Sequence, residues 1–414
     1  MKKHSISIPT AIMLCLLAAV VTFNIMFFVM TDMYNDRLGN LEQTEARYQK
    51  LKSVADIVNK YYIAEYDEAD AIEGALSGYV AGLGDKWSAY YTAEQSKQIE
   101  ESESNSYVGI GLSYSTEPES LYAVLSVTAD SPAAKAGILV GDVIAAIDGK
   151  SVSELESPDQ LTSWVQGEKG TSVSVTVTRA GEQKNFTIQR DTVHTQNVTS
   201  ELMENGIGRI TILDFNTGVE EEFSNHLDAL LEQGAKGLIF DVRNNPGGFL
   251  TVLRTVLDRL LPEGIVITTV DHQGNETPYT SDADCVEMPM AVITNRYSIS
   301  AAEFFAAALQ EYGVADVVGE ATSGKGYSQQ SFKLSDGSTV HISTTRYYTP
   351  KGQSLADTGV TPDHPVELTE DQFQALLSGD LPLEEDAQLQ QAFNLVSARV
   401  AALEAETQPA PDAE

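Results

Sequence analysis

Two short segments, Ser298-Ile299-Ser300-Ala301-Ala302-Glu303 and Gly324-Lys325-Gly326 downstream, hold the residues of this chain best suited to covalent chemistry. A serine hydroxyl is a poor nucleophile at neutral pH and needs a neighbouring base to take its proton. Histidine is the usual partner. Lysine serves only when neutral, which requires burial or cationic neighbours to lower its pKa. Lys325 sits where this can happen. Val317-Val318-Gly319-Glu320 reads as a short apolar strand ahead of it, and its two flanking glycines let the backbone close in and exclude water. A helix-like run and a strand-like run separate the two segments, so their ends can meet in space. On residue types alone, a serine and a lysine are more often a helix-capping hydroxyl and a solvated charge.

The paired segments resemble the carboxyl-terminal processing, or tail-specific, proteases, which use a Ser-Lys dyad. Their nucleophile segment reads roughly S-A-S-A-x-E, matched here with Ile299 in place of Ala. Their lysine segment reads T-x-G-K-G-x-x-Q, matched throughout by Thr322-Ser323-Gly324-Lys325-Gly326-Tyr327-Ser328-Gln329. The resemblance implies Ser300 as nucleophile, Lys325 as general base and Gln329 as an orienting amide, with Ser298 the motif's earlier serine. Asp241-Val242-Arg243-Asn244-Asn245-Pro246-Gly247-Gly248 resembles the family's D-x-R-x-N-x-G-G segment. By that resemblance Gly248, or alternatively Gly247, supplies an oxyanion donor. The second donor is expected from the Ala301 N–H, at the start of the nucleophile's helix, where the helix dipole favours negative charge. Asp241 and Arg243 are expected to brace the glycine loop as an ion pair. Without the family, Asn244 to Gly248 reads as a structural turn.

The elements that must position these residues run from about 195 to 366, where strands alternate with helices. Gly208 to Phe215, Gly237 to Val242 and Met290 to Thr294 read as strands; Glu220 to Gln233 and Leu250 to Leu261 read as helices. That alternation predicts a largely parallel sheet with helices on its faces, and in such sheets sites gather at the carboxyl ends of strands. Gly247-Gly248 and Ser300 both fall just past strand ends. The resemblance implies a crotonase/ClpP-like α/β protease core, an architecture also used by proteins that act on other substrates.

Residues 103–182 have a different grain. Tyr107 to Tyr114 is alternating and glycine-rich. Ser131-Pro132-Ala133-Ala134-Lys135-Ala136-Gly137 has a capping serine, Pro at the first helical position and a closing Gly. Gly141 to Gly149 is a strand running into a tight Asp-Gly turn. The order looks like a PDZ domain, which takes a peptide's C-terminus by strand addition. By resemblance the carboxylate loop lies at Val108, Gly109, Ile110, Gly111 and Leu112.

At the N-terminus, Lys2 and Lys3 precede an apolar stretch from Ile8 to Met30, long enough for one membrane crossing. Lysines before the span and acidic residues after it place the N-terminus in the cytoplasm and the rest outside. A cleaved signal peptide is the rival reading, and no clean small-x-small site follows the run. Asp36 to Tyr62 reads as an amphipathic helix whose stripe packs by default on the chain's own body, or else on a second copy. A second helix-like run, Ala71 to Leu83, leads into Asp85-Lys86-Trp87-Ser88-Ala89-Tyr90, which resembles the family's D-P-Y-S-x-Y segment.

The expected organisation is a stub and transmembrane signal anchor (1–31), a helical region (32–102), a PDZ domain (103–182), the protease core (183–366, with 50–102 contributing), and a C-terminal helix with an acidic, disordered tail (367–414). With 60 acidic and 26 basic residues the net charge is −34, which argues against nucleic acid as a partner. Six scattered histidines and two cysteines, Cys15 and Cys285, give no ligand spacing for zinc and no disulfide framework; no metal or cofactor is expected. The resemblance implies a membrane-anchored serine endopeptidase cutting near protein C-termini, with protein tails as substrates. A catalytically silent PDZ scaffold of the same fold is the alternative.

Overall fold

A computed structural model describes residues 48–407 except 118–119, 156 and 158–159, with a few isolated positions between 9 and 30. It divides into two units, Met1–Gly74 and Ala75–Glu414. Among the described residues no helix is long and apolar enough to cross a membrane; most of the Ile8–Met30 run, and the acidic tail from 408, lie outside them. In the first unit a helix covers 48–61. Tyr48, Leu51, Val54, Ile57 and Tyr61 on it are exposed. An apolar stripe records that a helix has a buried face, not which molecule covers it.

The second unit is built on a six-stranded sheet ordered Val198–Leu202, Ile207–Ile212, Gly237–Asp241, Met290–Thr294, Ala315–Gly319 and His364–Pro365. All pairings are parallel except the first. The central strands Gly237–Asp241 and Met290–Thr294 are buried at every position because both faces are covered. Leu238, Phe240, Val292 and Val317 point to one face, where they meet Phe223, Leu227, Val256, Phe304 and Phe305 from the helices Val219–Glu232, Leu250–Asp258 and Ala301–Tyr312. Ile239, Ala291, Ile293 and Val318 point to the other. There Leu389, Ala392, Val396 and Val400 of the C-terminal helix Ala387–Thr407 cover them. A second, antiparallel sheet carries Ala89–Tyr91, Thr339–Tyr348, Gly264–Asp271 and Glu276–Ser281, with Tyr327–Lys333 also paired to Thr339–Tyr348. The Asp85 segment thus joins the catalytic half of the molecule through backbone pairing.

The inserted domain is a small β-rich body with its own core, centred on Ile110, Val124, Ile144, Leu161, Val173, Val175 and Ile188. Ser131 caps the helix Pro132–Ala136 by accepting from Ala134 N, and Gly137 closes it at φ 90°. Strand Glu182–Gln189 pairs along its whole length with Ser172–Arg179 through a turn at Ala180-Gly181. The boundary expected at 182 therefore falls inside a hairpin, and the inserted sheet runs on to 189. Chain entry and exit lie side by side: Ser106–Gly109 pairs antiparallel with Asp191–His194.

Candidate active site

The strand Met290–Thr294 ends at the centre of the sheet, and the turn after it delivers Ser300 to the first turn of the helix Ala301–Tyr312. Ser300 has φ 57° and ψ −116°, a conformation L-residues rarely adopt and one that clusters at functional sites. Ser298, the competing serine, is fully buried. Its hydroxyl donates to Val242 O at 2.7 Å and accepts from Asn295 N at 3.1 Å. Both capacities of that hydroxyl are used to tie two loops together. Ser300 instead lines a cleft of about 480 Å³ with Lys325, Gln329, Gly247, Gly248, Phe249, Asn216, His341 and Tyr347.

One buried carboxylate joins the two sequence segments. Glu303, one turn into the helix, accepts from Ser300 N at 2.7 Å, Thr322 Oγ1 at 2.7 Å, Ser323 Oγ at 2.9 Å, Gly324 N at 2.7 Å and Lys325 N at 3.0 Å. Five donors on one side chain fix the backbone of Ser300 to that of Lys325. Lys325 itself is half-buried. Burial lowers its pKa, while the nearby Glu303 and Asp85 carboxylates act the other way, and the net direction is down. Its Nζ lies 4.8 Å from the centre of the Trp87 ring, a contact that favours the charged form. Asp85, held low by hydrogen bonds from Ser343, Ser88 and Trp87 against the opposing effect of burial, is part of the same surround. The Gln329 amide donates to Tyr327 O at 3.1 Å and Ser343 Oγ at 3.0 Å. Among the described residues no hydrogen bond joins Gln329 to Lys325, so the amide lines the cleft without orienting the lysine in this conformation.

The glycine loop follows the strand Gly237–Asp241. Gly247 has φ 101°, and a Cβ there would sit 2.8 Å from both Ser300 Cβ and Ile299 O. Gly248 has φ 149°, and a Cβ there would meet the Phe215 carbonyl carbon at 2.3 Å. Both positions therefore require glycine for close approach. The Gly247 N–H is already spent on Asn245 Oδ1 at 2.8 Å. The N–H groups of Gly248 and Ala301 have no acceptor among the described residues, so of the two glycines Gly248 is the free donor beside the nucleophile.

Beneath the loop Arg243 is fully enclosed. It donates to Asp241 (2.9 and 2.6 Å), to Asp386 (3.0 and 2.8 Å) and to Gln388 Oε1 (3.1 Å), while Arg209 reaches Asp241 at 2.9 Å. Burial alone would raise the Asp241 carboxyl, but Arg243 and Arg209 hold it at about 2. The expected Asp241–Arg243 brace is present, and sequence reasoning missed its other half, since 367–414 had no assigned chemistry. Asp386 caps the incoming C-terminal helix, donating nothing and accepting from Leu389 N. Trp87 was also missed as a lysine neighbour. Its segment was noted, but no sequence signal pairs it with Lys325.

In the inserted domain Ile110 is buried and its carbonyl accepts from Ala133 N at 2.7 Å; Gly111 O accepts from Thr128 N at 3.0 Å and from Ser131 Oγ at 3.2 Å. Gly111 (φ 81°) lies so close to Ser131 that a Cβ would fall 2.3 Å from its Cβ. Gly109 to Leu112 is thus a tight loop seated on the short helix, with Val108 exposed at its edge and Leu112 opening the strand Leu112–Tyr114.

The chain's likenesses agree with this arrangement. The sequence profile of peptidase family S41 matches residues 206–366, that of a PDZ domain matches 124–179, and that of the activating protease CtpB N-terminal domain matches 16–95. The chain is 32% identical to the carboxy-terminal processing protease CtpA of Bacillus subtilis, over 78% of this chain and 70% of that protein. It is 31% identical to a probable CtpA-like serine protease of Staphylococcus epidermidis, over 88% of this chain and 74% of that one. The fold resembles that of a putative S41 protease from Bacteroides fragilis, with a TM-score of 0.50 at 17% identity, covering 84% of this chain and 94% of that one.

Proposed function

The chain belongs to peptidase family S41 and is a carboxy-terminal processing serine peptidase, and from that premise we propose that Ser300 is its nucleophile and Lys325 its general base. Neutral Lys325 takes the Ser300 proton as Oγ attacks a peptide carbonyl. The Gly248 and Ala301 amides hold the oxyanion, each contributing about 3 kcal/mol. Protonated Lys325 then gives its proton to the leaving amine, and water releases the acyl-enzyme. Gln329 orients the lysine once substrate is bound, when its Oε1 turns to accept from Nζ, a bond absent from the conformation described above. The observation that carries this reading is the shared cleft, in which Ser300, Lys325, Gln329 and the two glycines meet, while Ser298 is committed elsewhere.

The inserted PDZ domain captures the substrate's C-terminal tail at Val108 to Leu112, so that proteins with apolar tails are the substrates. The Ile8–Met30 run anchors the chain in the cell membrane with the catalytic part outside the cytoplasm, and the bare stripe on 48–61 pairs with a second copy. The core is of the crotonase/ClpP-like type. The test is cleavage of an unfolded protein bearing an apolar tail by the full chain in detergent. Wild type, Ser300→Ala, Lys325→Ala and Ser298→Ala run side by side. Loss in the first two variants but not the third supports the dyad. Wild type that binds the tail peptide without cutting is the scaffold outcome and overturns it.

A further inference from the structure

The neck of the PDZ insertion is fastened to the 214–217 loop, against which Gly248 is seated. Asn105, buried and left-handed at φ 47°, is the last residue before the insertion's first strand. Asparagine tolerates that conformation better than other non-glycine residues. Its Nδ2 donates to Asp214 Oδ1 at 3.1 Å and to Thr217 O at 3.5 Å. Its carbonyl accepts from Thr195 N at 2.9 Å and Thr195 Oγ1 at 3.1 Å, on the exit side of the insertion. Thr217 N donates to Glu103 O at 3.3 Å. The entry strand of the neck is therefore tied directly to the 214–217 loop, and the exit strand is tied to it through Asn105.

Inside that loop lies Phe215. Its N–H donates to Gly247 O at 2.7 Å, and its carbonyl accepts from Phe249 N at 2.8 Å. Gly248 lies between these two bonds, pressed so closely on the Phe215 backbone that no side chain fits. Asp214 Oδ1 also accepts from Asn216 N at 2.9 Å, which sets the turn around Phe215. Asn216 and Glu103 both line the catalytic cleft. Hydrogen bonds thus run from the insertion's hinge through the 214–217 loop to Gly247 and Phe249, the residues on either side of Gly248.

We infer that Asn105 and Asp214 are positioning residues, clamping the PDZ neck to the loop that seats the Gly248 amide, so that the neck's position is felt at the oxyanion. The inference rests on the proposed oxyanion role of Gly248. A contiguous set of bonds is the physical route for such coupling, and coupling itself is a measurable quantity.

The experiment uses Asn105→Gly in the full chain, which keeps the left-handed backbone and removes Nδ2, together with Asp214→Ala and Asp214→Asn. Hydrolysis of a short peptide ester without an apolar tail is measured per active site, titrated with a fluorophosphonate that phosphonylates the active serine and releases fluoride, so that misfolded protein is not counted. The expected result is a kcat lower by roughly 10- to 100-fold in Asn105→Gly and Asp214→Ala, with KM within about twofold; outright loss of an oxyanion donor costs ~10²–10³. Asp214→Asn keeps an acceptor at Oδ1 and recovers most of the kcat. Adding an apolar-tailed peptide that the PDZ domain binds changes kcat in wild type and less in Asn105→Gly. Titrated kcat values within about twofold of wild type in both truncating variants overturn the inference. Ser300→Ala is assayed alongside: residual hydrolysis there overturns the nucleophile assignment instead, so the two failures are told apart.

Discussion

Replacing Glu303 by glutamine changes one atom and should disturb both stability and the pH profile. Whichever way the new amide is turned, its NH2 group faces a donor. On one side stands Gly324 N; on the other stand Ser300 N and Lys325 N. The less costly orientation keeps the second set and orphans Gly324 N, while Thr322 Oγ1 rotates to accept. One buried unsatisfied N–H costs about 1–3 kcal/mol, and the three surviving bonds lose their charge-assisted strength. Relief of the cost of burying a charge offsets part of this, leaving a net loss of about 2–4 kcal/mol. The second effect has an opposite flavour. Burial lowers the Lys325 pKa and Glu303 partly restores it, so the glutamine variant should hold Lys325 lower still. Activity that requires neutral lysine is lost as pH falls through that pKa, and the acid limb of kcat/KM should move to lower pH in Glu303→Gln even as its plateau drops. Denaturant unfolding and a pH–rate profile on the same preparation measure both. A folded Glu303→Gln whose acid limb stays put or moves up refutes the electrostatic reasoning; unchanged stability refutes the hydrogen-bond reasoning.

Trp87→Leu removes the ring over Lys325 Nζ, worth about 0.5–2 kcal/mol to the ammonium, and should also move the acid limb to lower pH, read from the same profile. Ser298→Ala should cost about 1–3 kcal/mol of stability by orphaning Asn295 N and leaving Val242 O only the long bond from Asn245 N, while the folded fraction keeps its titrated activity. Arg243→Met strands Asp241 and Asp386 as buried carboxylates and should destabilise by about 3–5 kcal/mol, visible in thermal unfolding. In the intact protein Asp241 is depressed from 3.8 to about 2. Its contribution, about 2–3 kcal/mol, is therefore full above pH 4 and should be lost as pH falls from 4 through 2, whereas Arg243→Met should lack that acid transition.

Much of the site was legible because its determinants are contiguous in the chain. Ser300, Glu303, Lys325, Gly247 and Gly248 each lie in a short segment whose backbone geometry is set locally, so residue type and order carry the information. What was not legible is what only folding brings together. Asp386 meets Arg243 across 143 positions and Asn105 meets Asp214 across 109; neither end has a periodicity or motif that announces the other. The C-terminal helix was visible as a helix, yet not as the lid on one whole sheet face, because its buried positions look like any amphipathic stripe. The insertion's boundary was expected at 182, whereas strand Glu182–Gln189 still belongs to the insertion's hairpin. A tight turn ends a strand and begins its partner equally well, and pairing, not composition, decides which. The helix over 48–61 shows the same limit: an apolar stripe says that a face is to be covered, not by what.

The closed neck also has an evolutionary reading. Asn105 and Thr195 are hydrogen-bonded neighbours, so everything from 106 to 194 leaves and re-enters the protease at nearly one point. An insertion with adjoining ends can be lost, exchanged or acquired without rethreading the host, since a short bridge restores chain continuity. The inserted domain of this peptidase is thereby freed to diverge on its own, and a graft of a different domain at 105 and 195 is the natural way to exchange it.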